Sequence, residues 1–233
     1  MKQYRGIWLP NSDTHFAEHL EKGPLYRGAG TYQLKKILLA MQVVKSHMPA
    51  QGVAIDIGAH VGLWSRYLVD HFKTVIAFEP VPAHIECFKA NLAKELRADP
   101  DSRVILYQHA LGSEHGHITI ETTPDNSGNA HVSAPGSKPN GHGVQVPLYK
   151  LDEHILAGHS VSFIKIDVEG FELEVLKGGE QTIKREKPVM VIEQKPGHGK
   201  RYGFGDTAAV ELMKQWGASV AWQKAGDYCM VWK

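Results

Sequence analysis

The sequence has only two cysteines, Cys87 and Cys229, in 233 residues. They share no metal-binding or redox spacing, and two isolated cysteines are typical of reduced thiols in a cytosolic protein. The longest apolar runs are far shorter than the roughly 20 residues that span a bilayer. The first residues, MKQYRGIWLPNSD, also lack the apolar region of a signal peptide. We therefore expect a cytoplasmic protein without a membrane partner.

The sequence also lacks a large excess of positive or negative charge. Lysine and arginine number 26 and aspartate and glutamate 25, for a net charge of +1. A protein that depends on a broad basic face for nucleic acid is therefore disfavoured. The 14 histidines are scattered and form no H-E-x-x-H or similar ligand pair, so they predict no metal site. The remaining composition is that of an ordinary globular protein.

Apolar strand patterns alternate with helix patterns over about 180 residues, which predicts a doubly wound, mainly parallel sheet in an α/β fold. The strands are predicted at 53–57, 74–80, 103–112, 161–170 and 188–197, with helices at 63–72, 82–97, 171–186 and 206–216. A closing strand pair is predicted between 218 and 232. Its connection is too short for a crossover, so one of the two strands should run antiparallel.

The beginning of the chain and one long polar loop stand apart from this alternation. Residues 31–48 predict a helix with Leu34, Leu38, Met41 and Val44 on its buried face. We expect residues 1–50 to form an N-terminal helical extension and residues 51–233 to form one domain. Two alternating segments, 117–122 and 143–152, predict a hairpin around the loop 123–142. We expect that loop and the N-terminal helix to act as a lid, with Asn126, Ser127 and Asn129 as candidate hydroxyl-binding residues.

Polar residues end the predicted parallel strands. The carboxyl ends of such strands meet at one edge of the sheet, where open α/β sheets bind ligands. One acid at this edge would be unremarkable, but here four acids and a histidine occupy it. They are Asp56, Glu79, His109, Asp167 and Glu193. This set indicates a functional site.

The turn after the first of these strands has the pattern D-x-G-x-x-x-G, formed by Asp56, Gly58 and Gly62. It is neither a dinucleotide fingerprint nor a phosphate-binding P-loop, so a cofactor with a pyrophosphate is disfavoured. Glu79 ends the next strand, where a carboxylate accepts both hydroxyls of a ribose. A ribose without a pyrophosphate fits S-adenosylmethionine, whose ammonium group would meet Asp56 or a backbone carbonyl. The alternative is a purely structural turn, with Glu79 capping a helix.

Five segments resemble, in their order, the FkbM-type methyltransferases, a branch of the class I S-adenosylmethionine-dependent enzymes. They are IDIGAHVGLWS, AFEPVP, ALGSEHGHITI, IKIDVEGFELEVLKGGEQTI and VMVIEQ, and the resemblance covers residues 51–195. His60 stands where the family usually has asparagine. The resemblance implies a Rossmann-like, seven-stranded sheet and O-methylation of a hydroxyl on a sugar, glycan or secondary metabolite. The cofactor-binding residues are then Asp56, Gly58, His60, Gly62, Glu79, Pro80, His109, Ala110 and Asp167.

Methyl transfer to a hydroxyl requires that the nucleophile lose its proton, whereas the thioether leaving group needs no acid. Asp167 is the first candidate for the base, and Glu169 and Glu193 are expected to converge with it. The three carboxylates would also suit a divalent cation such as Mg²⁺ or Ca²⁺. Glu169 has the alternative role of capping the next helix. Lys165, in a strand predicted to be buried, should have Asp167 or Glu193 as its partner.

Two other functions stay open. An RNA ribose 2′-O-methyltransferase would use two lysines, an aspartate and a glutamate, for which the candidates are Lys35, Asp167, Lys195 and Glu193. No basic stripe with interleaved aromatic residues supports an RNA groove, so this hypothesis ranks second. A catalytically inactive S-adenosylmethionine-binding protein is the other alternative. The sequence gives no indication of the oligomeric state.

Overall fold

The computed structural model describes residues 1–48, 52–96, 102–137, 141–155 and 159–232. Its N-terminal segment holds two short antiparallel hairpins as well as two helices. In chain order these elements are β1 (Lys2–Tyr4), β2 (Ile7–Leu9), α1 (His15–Lys22), β3 (Leu25–Tyr26), β4 (Ala29–Gly30) and α2 (Leu34–His47). The helical periodicity had predicted only α2.

The buried face of α2 differs from the predicted one. Leu38 is 44% exposed, whereas Ile37, Met41 and Val44 are buried. These three residues lie at the spacing i, i+4, i+7, which defines one helical stripe, and Leu38 is displaced from it by about 100° relative to Ile37. The stripe packs against the central sheet as part of a larger apolar cluster.

The rest of the chain forms a central sheet, a smaller sheet and five helices within the described ranges. The elements are β5 (Val53–Ile57), α3 (Leu63–Leu68), β6 (Thr74–Phe78), α4 (Pro82–Asn91), β7 (Val104–Tyr107), β8 (Ala110–Leu111), β9 (Gly116–Glu121), β10 (His131–Val132), β11 (Gly143–Tyr149), β12 (Val161–Ile166), α5 (Glu172–Gly178), α6 (Glu180–Glu186), β13 (Val189–Glu193), α7 (Ala208–Gln215), β14 (Ala218–Lys224) and β15 (Asp227–Trp232).

The central sheet has seven strands in the order β14-β15-β13-β12-β5-β6-β7. The neighbours from β13 to β7 are parallel, and β15 is antiparallel to both β13 and β14. This arrangement confirms the doubly wound sheet and the antiparallel strand predicted in its closing pair. It places the ends of β5, β6, β12 and β13 at one edge.

The smaller sheet has the order β10-β9-β11-β8. Its antiparallel pair β9/β11 is the predicted hairpin. The predicted strand 103–112 divides, because the chain leaves the central sheet after Tyr107 and β8 then pairs with β11. The predicted loop 123–142 contains β10 and a helical turn at Ser127–Asn129, and residues 138–140 of that loop lie outside the described residues.

Apolar layers cover both faces of the central sheet. Phe163 belongs to the layer under α2 and α3, whereas Ile164 and Ile166 belong to the layer on the other face. The side chains of β12 thus alternate between the two faces of the sheet. The predicted helix 171–186 divides at Gly179, and the predicted helix 82–97 ends at Asn91, with residue 97 outside the described residues. None of the helices in the described ranges is both long and apolar enough to cross a bilayer.

Candidate active site

A cavity of about 340 Å³ lies at the carboxyl ends of the parallel strands. Most of the residues predicted for the site line this cavity, both those of the glycine turn and those at the strand ends. They are Gly58, His60, Glu79, Pro80, His109, Ala110, Asp167, Glu169 and Glu193. The structure therefore brings together residues from five separate segments of the chain, as expected for the ligand edge of such a sheet.

The glycine turn is shaped by two close approaches. A Cβ on Gly58 would lie 1.9 Å from the carbonyl oxygen of Asp167, and a Cβ on Gly62 would lie 2.5 Å from the Leu92 side chain. Both glycines also have positive φ angles, of 72° and 86°. Gly58 thus allows the turn to pack against the end of β12. Gly62 lies outside the cavity lining and allows the start of α3 to pack against the segment after α4.

Asp56 lies beneath the turn and is fully buried, away from the cavity lining. Its Oδ2 accepts a hydrogen bond of 2.6 Å from Ser65 Oγ, and its Oδ1 lies 3.4 Å from Lys165 Nζ. This position corrects the expectation that Asp56 meets the ammonium group of a cofactor. Strand alternation places Asp56 on the face that α3 covers, so the carboxylate supports the turn from inside.

Lys165 connects this support to the acidic strand ends. Its Nζ donates to the Gly58 carbonyl at 2.8 Å and lies 3.7 Å from Asp167 Oδ2. Burial opposes the ammonium charge, but the nearby carboxylates of Asp167 and Asp56 raise the pKa of Lys165 above its ordinary value. Asp167 was one of the two predicted partners, and Asp56 was not predicted.

Glu79 organises the other side of the turn. Its Oε2 accepts from the His60 backbone N–H at 2.8 Å, and its Oε1 accepts from the Val81 N–H at 2.9 Å. His84 Nδ1 lies 3.1 Å from the same Oε1. The buried carboxylate caps the chain after β6 and also borders the cavity, so the structural role and the ligand-binding role are compatible.

The wall beyond Glu79 is aromatic and uncharged. The ring of His109 stacks on that of His154 at a centroid distance of 4.7 Å and contacts Phe78 edge-on at 5.6 Å. Burial lowers the pKa of His109 below its ordinary value, so the imidazole is neutral. Ala110 continues this wall. A flat, apolar group such as a purine fits these surroundings.

The three predicted acids converge at the opposite end of the cavity. One carboxylate oxygen from each of Asp167, Glu169 and Glu193 lies within 4.8 Å of the others. Two cations offset this charge: Lys165 beside Asp167, and Lys195, whose Nζ is 2.8 Å from Glu193 Oε2 and 3.2 Å from Glu169 Oε1.

The acids differ in protonation. Burial and the charge of Asp167 raise the pKa of Glu193 to about 9, and the same two causes raise the pKa of Glu169. Burial also acts on Asp167, but Lys165 and Glu193 hold its pKa below the ordinary value. At neutral pH Asp167 therefore carries a negative charge and Glu193 holds a proton.

Glu169 does not cap α5. Its φ of 55° lies in the left-handed region, and its Oε2 lies 2.9 Å from His198 Nδ1. Glu172, the first residue of α5, holds the chain before the helix instead. Its Oε1 accepts hydrogen bonds from the N–H groups of Gly170 and Val168 at 2.9 and 3.2 Å. Burial raises the pKa of Glu172 to about 7.

Lys195 and His198 also belong to this end of the cavity, although Lys195 was predicted only for the RNA alternative and His198 was not predicted. For Lys195 a signal existed, since it lies two residues after the strand-end acid Glu193, on the same side of an extended chain. His198 approaches Glu169 through the turn after β13, which the sequence did not specify.

The N-terminal segment and the polar loop cover the turn side of the cavity together. Asp13 accepts hydrogen bonds from the backbone N–H of Ser127, at 2.8 Å, and from its hydroxyl. The same hydroxyl oxygen lies 2.7 Å from His60 Nε2, on the turn. Phe16 packs on the His60 ring at a centroid distance of 4.7 Å. Asn126 and Asn129, two of the predicted hydroxyl-binding residues, line the cavity beside Ser127.

Residues 56–220 match the family model of the methyltransferase FkbM domain. The chain belongs to this family. Methyltransferase 1 of Beauveria bassiana is 28% identical over 151 residues, which cover 56% of this chain and 59% of that relative. The hexuronic acid methyltransferase AglP of Haloferax volcanii is 30% identical over 126 residues, covering 53% and 48%. The chain thus spans about half to three-fifths of these relatives.

A solved structure of a methyltransferase FkbM from Methylobacillus flagellatus shares the fold. It superposes with a TM-score of 0.52 at 18% identity, covering 78% of this chain and 44% of that chain. The chain therefore has the Rossmann-like α/β fold that the resemblance implied.

Proposed function

We propose that this FkbM family member is an S-adenosylmethionine-dependent O-methyltransferase that acts on a hydroxyl of a sugar, glycan or secondary metabolite. The observation that carries this proposal is the division of one cavity into a glycine turn with an aromatic wall and a buried cluster of three acids. The relative named as a hexuronic acid methyltransferase supports a sugar-type acceptor.

The turn side provides the cofactor contacts in this proposal. Gly58 and His60 line the cavity on the turn side, where the amino acid portion of the cofactor would lie. The Glu79 carboxylate accepts from the ribose hydroxyls, and Pro80, His109 and Ala110 contact the adenine. Asp56 and Gly62 shape the turn from outside the cavity. When bound, S-adenosylmethionine supplies an electrophilic methyl group.

The acid side provides the base. Asp167 ends β12 beside the turn, carries a negative charge at neutral pH and lines the cavity. It accepts the proton that the acceptor hydroxyl loses as its oxygen attacks the methyl group. Glu169 and Glu193 surround the same position and are the next candidates. A divalent cation is the alternative use of the three carboxylates, although Lys165 and Lys195 already offset their charge.

The RNA alternative is weakened by the position of one lysine. Lys35 is exposed on α2, and its neighbour Lys36 forms the ion pair with Asp227 near this edge instead. Asp167, Lys195 and Glu193 do cluster, so RNA belongs among the acceptors to be tested. The cytoplasmic location stays a prediction.

Binding and transfer are measured separately. Calorimetry should show S-adenosylhomocysteine binding in the micromolar range, with NAD and ATP far weaker. Comparable NAD binding would contradict the cofactor assignment. Labelled S-adenosylmethionine is then offered with methyl glycosides, hexuronic acids and an RNA oligonucleotide, with and without EDTA. Transfer to a sugar hydroxyl supports the proposal. Binding without transfer favours an inactive protein, and loss of activity with EDTA that Mg²⁺ restores favours the cation.

A further inference from the structure

Lys195 differs from the other lysine that lines the cavity. The side chain of Lys165 is 6% exposed and donates to a backbone carbonyl, whereas the side chain of Lys195 is 40% exposed. An ammonium group has three N–H donors. Two of those on Lys195 face the carboxyl groups of Glu193 and Glu169, at 2.8 and 3.2 Å. The Lys195 side chain also lines the cavity, which is where a ligand oxygen would meet its remaining donor.

Residues from two separate segments of the chain position this ammonium group. Glu193 ends β13, while Glu169 follows β12 in a left-handed conformation that is costly for a residue with a side chain. Arg201 Nη1 donates to the Glu169 carbonyl at 3.1 Å, and a Cβ on Gly170 would lie 2.6 Å from the His198 backbone. These contacts fix the strained backbone and direct Glu169 toward Lys195.

Lys195 and Asp167 are both neighbours of Glu193. The carboxylate oxygens of Asp167 and Glu193 lie within 4.8 Å, and Lys195 Nζ lies 2.8 Å from Glu193. An acceptor and a donor that both adjoin Glu193 suit two neighbouring oxygens of one small molecule, at about 2.7–3.2 Å for each hydrogen bond. A sugar ring presents such pairs as vicinal hydroxyls.

We propose that Lys195 donates a hydrogen bond to the oxygen next to the reacting hydroxyl, so that the acceptors of this enzyme are vicinal diols. This inference rests on the proposed function. Asp167 receives the proton from one hydroxyl while the ammonium group of Lys195 holds its neighbour. An isolated alcohol would leave the Lys195 donor without its partner and would be a poorer acceptor.

The test combines protein variants with a modified acceptor. The probes are the best methyl glycoside of the acceptor panel and its analogue deoxygenated at the carbon next to the methylated position. The variants are Lys195→Met, which removes the charge, and Lys195→Arg, which keeps it. Lys214→Met is the matched control, because Lys214 pairs with Glu211 on α7 and does not line the cavity.

The wild type and Lys214→Met should use the deoxy analogue with a kcat/KM about 10- to 100-fold lower, the range for losing a hydrogen bond to a charged group. Lys195→Met should lose a similar factor on the parent glycoside and should no longer distinguish the two acceptors. Lys195→Arg should retain part of the discrimination. The Kd for S-adenosylhomocysteine should stay within about threefold in every variant, since Lys195 lies at the other end of the cavity.

A merely structural role for Lys195 gives a different pattern. Lys195→Met would then lower the activity on both acceptors equally and leave the discrimination intact, which would overturn the inference but not the proposed function. If Lys195→Met does not fold, the wild type decides, because equal use of both acceptors overturns the inference by itself. A wild type that binds S-adenosylhomocysteine but methylates no hydroxyl overturns the proposed function and this inference together.

Discussion

The two ends of the cavity are built in different ways. At the turn end, Glu79 receives backbone N–H groups, the glycines permit close backbone approaches, and burial lowers the pKa of His109 below its ordinary value. At the acid end, three carboxyl groups lie close together, Lys165 pairs with Asp167, Lys195 pairs with Glu193, and the pKa of Glu193 is raised to about 9. At the first end, both oxygens of Glu79 already accept backbone hydrogen bonds before any ligand arrives. The second end keeps charged groups and the partly exposed side chain of Lys195 at the cavity.

This difference indicates that the turn end binds the cofactor and the acid end carries out proton transfer. A preorganised end binds a ligand with little rearrangement, whereas coupled buried charges with shifted pKa values are typical of proton transfer. Substitutions at the turn end should therefore change cofactor affinity, and substitutions at the acid end should change turnover.

The largest effect is expected for Asp167→Asn, which keeps the shape of the side chain and removes its charge. General-base catalysis is typically worth about 10²- to 10⁴-fold, so kcat should fall within that range while the Kd for S-adenosylhomocysteine changes only a few-fold. Glu211→Gln, at an exposed position on α7, is the control. Near-complete retention of turnover by Asp167→Asn would move the base to Glu169 or Glu193.

Glu79→Ala should produce the opposite pattern. Removing a charged acceptor should weaken S-adenosylhomocysteine binding by about 1–3 kcal/mol, which calorimetry measures directly. Glu180→Ala, at an exposed ion pair on α6, should leave binding unchanged. Unaltered affinity in Glu79→Ala would mean that this carboxylate serves the turn alone.

Glu193→Gln should change how stability depends on pH. Since the pKa of Glu193 is raised to about 9, the folded chain holds a proton that the unfolded chain has released above its ordinary pKa of 4.5. This contribution to stability is complete below pH 4.5 and is lost as the pH rises through about 9. The variant is neutral throughout, so its Tm relative to the wild type should rise between about pH 6 and 9, by roughly 2–4 °C per kcal/mol. If the Tm of the variant and the Tm of the wild type change in parallel with pH, Glu193 is not the group that holds the proton.

The smallest effect concerns the cover over the turn end. Because Asp13, Ser127 and His60 are linked, S-adenosylhomocysteine should increase hydrogen-exchange protection in α1 and in residues 123–132. Ser127→Ala should reduce this protection a few-fold and leave the central sheet unaffected. Protection that rises only in the sheet would contradict the idea that these segments close as a lid.

Parts of both ends of the cavity could be predicted from the sequence. Gly58 and Glu79 belong to short segments whose spacing reflects local backbone requirements, so the pattern alone indicated their roles. Asp56 was misplaced because strand alternation shows which face a residue occupies but not which helix covers that face. At the acid end, the expectation that the carboxyl ends of parallel strands meet at one edge of the sheet correctly brought Asp167 and Glu193 together.

The rest depended on contacts between distant segments. Lys195 and His198 reach the acids through a turn after β13, and Ser127 meets Asp13 across 114 positions of the chain. The hairpins before α2 are too short to show a periodic pattern, and Leu38 fitted the helical period almost as well as Ile37 did. Pairings of this kind follow from tertiary packing, which no local spacing encodes.

The central claim is that the acid end directs a hydroxyl oxygen at the methyl group of a cofactor bound at the turn end. The most direct test is to incubate the protein with S-adenosylmethionine carrying a deuterated methyl group and the sugar acceptor panel, and to locate the label by mass spectrometry and NMR. The account predicts a deuterated methyl ether on a sugar oxygen, formed at least about 10²-fold more slowly by Asp167→Asn. Label on nitrogen or carbon, or an equal rate in Asp167→Asn, would contradict it.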